Sequence, residues 1–460
     1  MSWAIGLFAI TVAANTEIES PLTLEDVLSS TTRAYPLLAA AEQRRLVASA
    51  DLLSAEGGFD PSWKTRANSF APAYYPYYTI DSVIEQPTTL WGTNVFGGYR
   101  WGRGDVPPYY GNVETARGGE LRAGVSVPLL RNGPIDRRRA SIEQAKLGQK
   151  VADGDLALVR IDVLRAAAYR YWDWVMAGRR LAIAKELLGI AEARDEAVHR
   201  RSQAGDVAQI DKVDNERAIA ERTERVVAFT RSLDQAAIAL SLFVRDSQGE
   251  PVRPAPSRLP LSLPEPQHLH DAPLAGELER ALSQRPEMLR LRAQRQQLEL
   301  ERTWAKNQKL PGLDVGVVAS RDLGQGDPRF ARTEVAANVM LDVPLQRRVA
   351  TGREQAAMAG IERLRAEEQM AKDRIEAEVR DSLSALEAAW KRVGLARRQR
   401  GLAIQLEKAE RTRFELGESN LLLVNLREQA SADAALVEAE ALGTWLRAKA
   451  DYRAALADPH

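Results

Sequence analysis

Two long stretches of the sequence contain no proline, and this absence restricts the folds that are open to the chain. Residues 135–250 and 345–458 lack proline and are rich in Ala, Leu, Glu, Arg and Gln, which favour helix. Typical helices have about 8 to 20 residues, so a helical stretch of this length has to fold back on itself. Gly205 and Gly417 supply the turns, because each is followed by polar residues that can begin a new helix. The sequence therefore predicts two antiparallel helical hairpins with tips at these glycines.

An internal repeat divides the chain into two halves. Four positions of the first half recur at a constant offset in the second: Leu24 as Leu274, Leu28 as Leu278, Pro36 as Pro286 and Pro61 as Pro311. The stretches 118–133 and 333–348 both alternate apolar with small or polar residues, which predicts strands, and both run through Val-Pro-Leu at Pro128 and Pro344. We therefore expect each half to hold a short helix with a proline break, a β-hairpin and a long antiparallel helical hairpin.

These signals give segment boundaries. We assign residues 1–20 to a possible signal or leader segment, 21–245 to the first repeat (strands about 59–130, hairpin about 135–245), 246–273 to a connector, and 274–458 to the second repeat (strands about 309–346, hairpin about 350–457). The connector is dense in proline, which excludes helix and favours an extended segment. Residues 71–117 make the first half longer than the second. Their many Tyr, Trp, Gly and Pro residues fit either a long surface loop or an extra pair of strands.

Composition excludes several classes of protein. The formal net charge is zero, which argues against a nucleic-acid binder. The chain has no cysteine, so it has no disulfide, thiolate metal site or cysteine nucleophile. The four histidines do not form a metal-binding pattern, and no spacing of residues indicates a catalytic site, so we expect neither an enzyme nor a bound cofactor or metal. Beyond the first residues no apolar run reaches the roughly 18 residues of a membrane helix, so any membrane crossing would have to use strands.

The ordered set of features resembles the TolC-like outer membrane efflux proteins, the outer membrane factors. It consists of the Leu-x-x-x-Leu helices with Pro36 and Pro286, the strand exits at Pro128 and Pro344, and the two glycine turns. The resemblance implies a mainly α fold with a membrane β-barrel: a homotrimer in which each chain gives four strands to a 12-stranded barrel and its hairpins to an α-helical periplasmic tunnel. The connector would then join an equatorial belt around that tunnel.

The same resemblance implies a function and partners. The protein would be a channel-tunnel of the cell outer membrane that exports solutes from the periplasm, as the exit duct of a tripartite efflux or type I secretion system. Its partners would be a periplasmic adaptor (membrane fusion) protein, an inner-membrane pump and outer membrane lipid. The alternative from another class is a soluble periplasmic coiled-coil adaptor or scaffold. The exported substrate is not predicted.

Candidate functional residues lie at the hairpin tips. The resemblance assigns the periplasmic tip and its adaptor contacts to Gly205, Asp206, Gly417, Glu418, Ser419 and Asn420. Asp211 and Asp214 lie about one helical turn apart, and together with Arg411 and Arg413 they are candidates for an entrance gate held by ion pairs. Alternatively, these charges only cap and solvate the helix ends. Leu423 and Leu426 stand where family members often carry acids.

Overall fold

The computed structural model describes residues 20–71, 74–106, 114–203, 209–268, 274–326, 328 and 332–458, and the side chains of 201–203 lie outside this description. Most of the predicted leader and the predicted first-tip residues Gly205 and Asp206 also lie outside the described residues. The helices are α1 (Leu24–Ala34), α2 (Pro36–Glu56), α3 (Arg137–Gln203), α4 (Gln209–Ser241), α5 (Leu274–Gln284), α6 (Pro286–Asn307), α7 (Arg348–Glu415) and α8 (Leu421–Ala455). The strands are β1 (Ser62–Phe70), β2 (Tyr77–Pro87), β3 (Asn94–Gly104), β4 (Glu120–Pro128), β5 (Gly312–Asp322) and β6 (Glu334–Asp342).

Prolines start the second helix of each half. Pro36 begins α2 directly after α1, and Pro286 begins α6 directly after α5. Proline fixes φ and lacks an N–H, so it fits the first turn of a helix but interrupts a helix that reaches it from the N-terminal side. At the other end of α1, Thr23 accepts a hydrogen bond from the backbone N–H of Asp26 at 3.1 Å, which fixes where the helix begins.

The long helices of the two halves are almost the same length. α3 has 67 residues and α7 has 68, and each is followed by a shorter helix, α4 with 33 residues and α8 with 35. At 1.5 Å per residue, α3 and α7 are each about 100 Å long. Among the described residues, no helix combines the length and the apolar character that a membrane span requires.

Two compact units divide the chain. The first, which we call the hairpin unit, comprises Met1–Leu38, Arg160–Leu278 and Ala377–His460, and the second, the sheet unit, comprises Ala39–Val159 and Glu279–Glu376. The hairpin unit has a core of apolar residues in which Trp174 and Leu240 are fully buried. The sheet unit contains all six described strands and the helical segments that adjoin them.

All six strands form one antiparallel sheet in the order β1-β2-β3-β4-β5-β6. β4, the last strand of the first half, pairs with β5, the first strand of the second half, through partners such as Val125 and Val317. β4 ends at Pro128, whereas β6 ends at Asp342, two residues before Pro344. Each predicted Val-Pro-Leu exit thus lies at or just beyond the end of a strand.

The number of strands corrects one expectation. Of the two alternatives for residues 71–117, the structure has the extra pair of strands, β2 and β3. The described residues of the first half therefore form four strands, whereas those of the second half form a single β-hairpin. The expected four strands per chain were therefore too few, and the expected total of 12 strands from three chains does not follow from a six-stranded sheet. Val95 and Tyr99 lie on one face of β3, and Phe96 and Gly98 lie on the other. The aromatic and β-branched members of this set favour a strand.

Candidate functional site

The two faces of the sheet differ in chemistry. Side chains alternate between the faces along each strand, and the strand register shows which residues share a face. One face, which we call the apolar face, carries these exposed large side chains: Trp63, Tyr78, Ile80, Ile84, Val95, Tyr99, Leu121, Val317, Val335, Val339 and Leu341. Trp63 is 77% exposed and Val335 71% exposed. Exposed apolar surface of this extent marks contact with membrane or with another protein.

The opposite face, which we call the polar face, carries ion pairs between strands. Lys64 of β1 lies 2.5 Å from Glu85 of β2, and Arg100 of β3 lies 3.6 Å from Glu120 of β4. Arg122 of β4 reaches Asp81 of β2. These pairs link four neighbouring strands on one side of the sheet.

Gly98 lies between the two residues of the Arg122–Asp81 pair, which spans the whole width of β3. It stands directly opposite Arg122 in the register of β3 and β4, and directly opposite Val83 in the register of β2 and β3. Because Gly98 has no side chain, the Arg122 side chain crosses β3 to reach Asp81. Further acids on the polar face are Asp314, Asp322, Glu334 and Asp342.

In the described part of the chain, neither outer edge of the sheet pairs with a further strand. β1 and β6 are the outer strands, and each pairs with a neighbour on one side only. Every residue of β6 is exposed. An exposed edge of unpaired N–H and C=O groups is a template for pairing with another chain. The sheet is therefore open both to an apolar medium on one face and to further strands at its edges.

The second hairpin tip is built by Gly417 and the polar residues that follow it. Gly417 has a φ of 80°, a left-handed conformation that ends α7 at low cost. The N–H of Glu418 donates to the carbonyl of Arg413 at 2.8 Å, and the N–H of Leu423 donates to the side chain of Asn420 at 3.0 Å. Asn420 thus caps α8, and Ser419 donates to Glu410.

A buried ionic cluster lies in the hairpin unit, on helices α3, α4 and α8. The Glu428 side chain of α8 is completely buried and accepts hydrogen bonds from Arg194 of α3 and, at 3.1 Å, from Arg222 of α4. Arg194 also donates to Asn425 at 2.7 Å. Burial alone raises the pKa of Glu428, but the two arginines outweigh it and hold the pKa below the ordinary 4.5. Burial lowers the pKa of Arg222, and Glu428 opposes that effect.

The four gate candidates separate into two groups. Asp214 accepts a hydrogen bond from Asn425 at 2.8 Å, and Arg411 lies 3.3 Å from Glu428, so both residues belong to the buried cluster. Arg413 instead lies 3.8 Å from Glu410, and Asp211 is in the first turn of α4. Within the described part of the chain, no ion pair joins either arginine directly to Asp211 or Asp214.

Sequence reasoning missed Glu428, Arg194 and Arg222, the charged centre of the cluster. A signal did exist in α8, where buried Leu421, Val424 and Glu428 follow at helical spacing. An acid on an otherwise apolar helical stripe indicates a buried partner of opposite charge. The spacing could not show which arginines provide it. Among the described residues, including this cluster, no group of three or more His, Cys, Asp or Glu side chains is arranged to hold a metal ion.

Comparison with solved structures shows which proteins share this fold. The chain is similar to the CmeC outer membrane channel of Campylobacter jejuni, with 14% identity, a TM-score of 0.63, and coverage of 100% of this chain and 94% of that chain. The chain is also similar to the open state of the MtrE outer membrane channel of Neisseria gonorrhoeae, with 16% identity, a TM-score of 0.64, and coverage of 94% of this chain and 88% of that chain. The outer membrane protein VceC of Vibrio cholerae has 14% identity to the chain and a TM-score of 0.64, and the match covers 94% of this chain and 96% of that chain. No protein-family model and no curated protein matches the sequence. At these identities the likeness establishes the fold.

Proposed function

We propose, from the fold that the chain shares with outer membrane channels, that this protein is itself a channel of the cell outer membrane. Solutes would leave the periplasm through it, as the exit duct of a tripartite efflux or type I secretion system. The proposed action is passive conduction, with no catalytic step and no resident cofactor. The observation that carries the proposal is the two-faced sheet, because an apolar face suits lipid and a polar face suits a water-filled lumen.

The open edges support assembly of several copies. In a single six-stranded sheet the backbone groups at the outer edges of β1 and β6 stay unpaired. Pairing β6 of one copy with β1 of the next would satisfy these groups and close a ring. We propose a homotrimer, the state that the resemblance implies. The ring would then have more than the 12 strands first expected, because each chain contributes six.

The hairpin unit supports the proposed partners. Around the second tip the exposed apolar residues are Leu416, Leu422, Leu423 and Leu426. We propose that the tip meets a periplasmic adaptor, which links the channel to an inner-membrane pump, and that Glu418, Ser419 and Asn420 contribute polar contacts. The helices would form a tunnel in the periplasm. A soluble adaptor or scaffold, the rival function, gives no reason for a sheet with one apolar face exposed across six strands.

Two adjacent alanines provide the test. Ala336 and Ala337 are neighbours in β6, the first on the polar face and the second on the apolar face. The chain has no cysteine, so in each single variant the introduced cysteine is the only thiol of the chain that a reagent can label. In intact outer membranes we expect Ala336→Cys to react with a charged, water-soluble thiol reagent, whereas Ala337→Cys reacts only with a lipid-soluble maleimide. Equal reaction of both variants with the charged reagent would contradict a lipid-embedded sheet.

A further inference from the structure

The β2–β3 hairpin has the topology of an insertion in the sheet. β1 and β4 run antiparallel to one another, since three successive antiparallel pairings separate them. Removing β2 and β3 would leave β1 and β4 able to pair directly, which gives the four-stranded arrangement that the repeat predicts. We infer, on the basis of the proposed function, that this hairpin widens the outer end of the channel. Bulky hydrophilic solutes would then pass through a barrel with six strands per copy.

The hairpin is an integral part of the sheet. β2 pairs with β1 from Ser62↔Glu85 to Phe70↔Tyr77, and with β3 along its full length. The ion pairs of the polar face cross its boundaries in both directions, from β1 to β2 through Lys64 and from β4 to β2 through Arg122. A flap that lay across the lumen would lack these pairings on both sides.

The turn between β2 and β3 is fixed against the segment that leads from β4 into α3. Gly92 has a φ of 66°, and a Cβ at this position would lie 2.5 Å from the carbonyl oxygen of Asn132. A Cβ on Gly133 would lie 2.7 Å from the indole nitrogen of Trp91. Gly92 thus packs against the backbone of Asn132, and Gly133 packs against the side chain of Trp91. This contact holds the hairpin at the same end of the sheet as the exit of β4.

The lumen-facing side chains of the hairpin leave space. On the polar face β3 presents Gly98 and Gly102, which have no side chain. Its longer side chains on this face include Phe96, whose ring packs over Gly124 of β4, and Arg100, which lies along the wall toward Glu120. Asp81 of β2 is held by Arg122 in the same way. The added strands therefore lengthen the circumference without placing unpaired long side chains in the centre.

Strand number sets the size of the opening. The diameter of a barrel grows roughly linearly with the number of strands, so six strands per copy instead of four give a diameter about 1.5 times larger and a cross-section roughly twice as large. Barrels of about 16 to 18 strands already leave an open aqueous channel. The outer barrel is then not the step that excludes large solutes.

The test measures the opening from the strand side. Neutral polymers of graded size are added to that side of a planar bilayer, and their entry is read from the change in single-channel current. We expect the largest polymer that enters the full chain to have a radius about 1.5 times that for a variant lacking residues 71–104. Channels with the same cut-off in both proteins would overturn the inference and leave the proposed function intact, whereas a full chain that forms no channel would overturn the proposed function.

A second variant covers the case in which the deletion does not assemble. Val83 lies on the polar face of β2, opposite Gly98. In the full-length chain we expect Val83→Cys to react with thiol-reactive polymers up to the size that enters the channel. Reaction with small reagents only, in channels that conduct normally, would show that β2 does not line a wide lumen and would overturn the inference.

Discussion

At the scale of single residues, the buried charge of Glu428 is expected to contribute strongly to stability. Its carboxylate sits between Arg194 and Arg222, and Arg222 is only 4% exposed. Removing one partner of a buried ion pair leaves the others without a counter-charge, which costs far more than the loss of a surface pair. This cluster therefore joins α3, α4 and α8 through charge in a region where the helices also carry exposed apolar residues.

We expect Glu428→Gln to destabilise the helices around the cluster by about 3 kcal/mol, because the buried Arg222 and the partly buried Arg194 lose their carboxylate. Hydrogen exchange of the backbone amides of residues 421–431 measures the local opening free energy. Arg413→Ala is the matched control, since the Arg413 side chain is exposed and lies 3.8 Å from its acid. Equal exchange in the Glu428→Gln variant and the natural protein would contradict a stabilising role for the charge.

The same residue predicts a dependence on pH. The folded protein holds the pKa of Glu428 below 4.5, so its contribution to stability is complete above that value and is lost as the pH falls through the folded pKa. The charged side chains of Arg194, Arg222 and Arg411 surround the carboxylate. We expect amide exchange near residue 428 to accelerate only below about pH 4.5, and Glu428→Gln to lack this acceleration. Acceleration of the same size in both proteins would assign the effect to other groups.

At the scale of elements, the sequence predicts helices better than it predicts the sheet. Prolines and glycines mark where helices begin and turn, and Pro36, Pro286 and Gly417 act locally, so their effects are readable from sequence. The sequence does not decide between strands and a loop for β2 and β3, because aromatic and glycine-rich segments suit both. Their place in the sheet includes contacts with β4, among them the Arg122–Asp81 pair across Gly98, which no local pattern reveals. The buried cluster escaped prediction for the same reason.

The connector is held in the hairpin unit by a close contact with a helix. The side chain of Leu259 packs against Gly178 of α3, and a Cβ at Gly178 would overlap it. We expect Gly178→Ala to displace Leu259 and make residues 256–265 more sensitive to limited proteolysis. Gly189→Ala in the same helix is the control. Nothing lies within 4 Å of the added Cβ, so it should stabilise the helix by roughly 0.5 to 1 kcal/mol without changing cleavage of the connector. Equal cleavage of the two variants would contradict the contact.

At the scale of the whole molecule, the open sheet edges predict that the working unit contains several copies. The chain has a mass of 50.8 kDa, and we expect the protein extracted from outer membranes in mild detergent to have the mass of three chains. Light scattering with correction for bound detergent measures this mass. A folded, detergent-free single chain in the soluble fraction would contradict both the trimer and the lipid-exposed face.

The pairing of β4 with β5 affects how the protein is made. Leu121 pairs with Arg321, so the two halves of the sheet meet through residues that leave the ribosome far apart in time. Contacts this distant in sequence form slowly, because the intervening chain must be ordered or tethered first. The edge of β4 that pairs with β5 therefore has no strand partner until the second half is made, and we expect biogenesis to use a helper that shields this edge in the meantime.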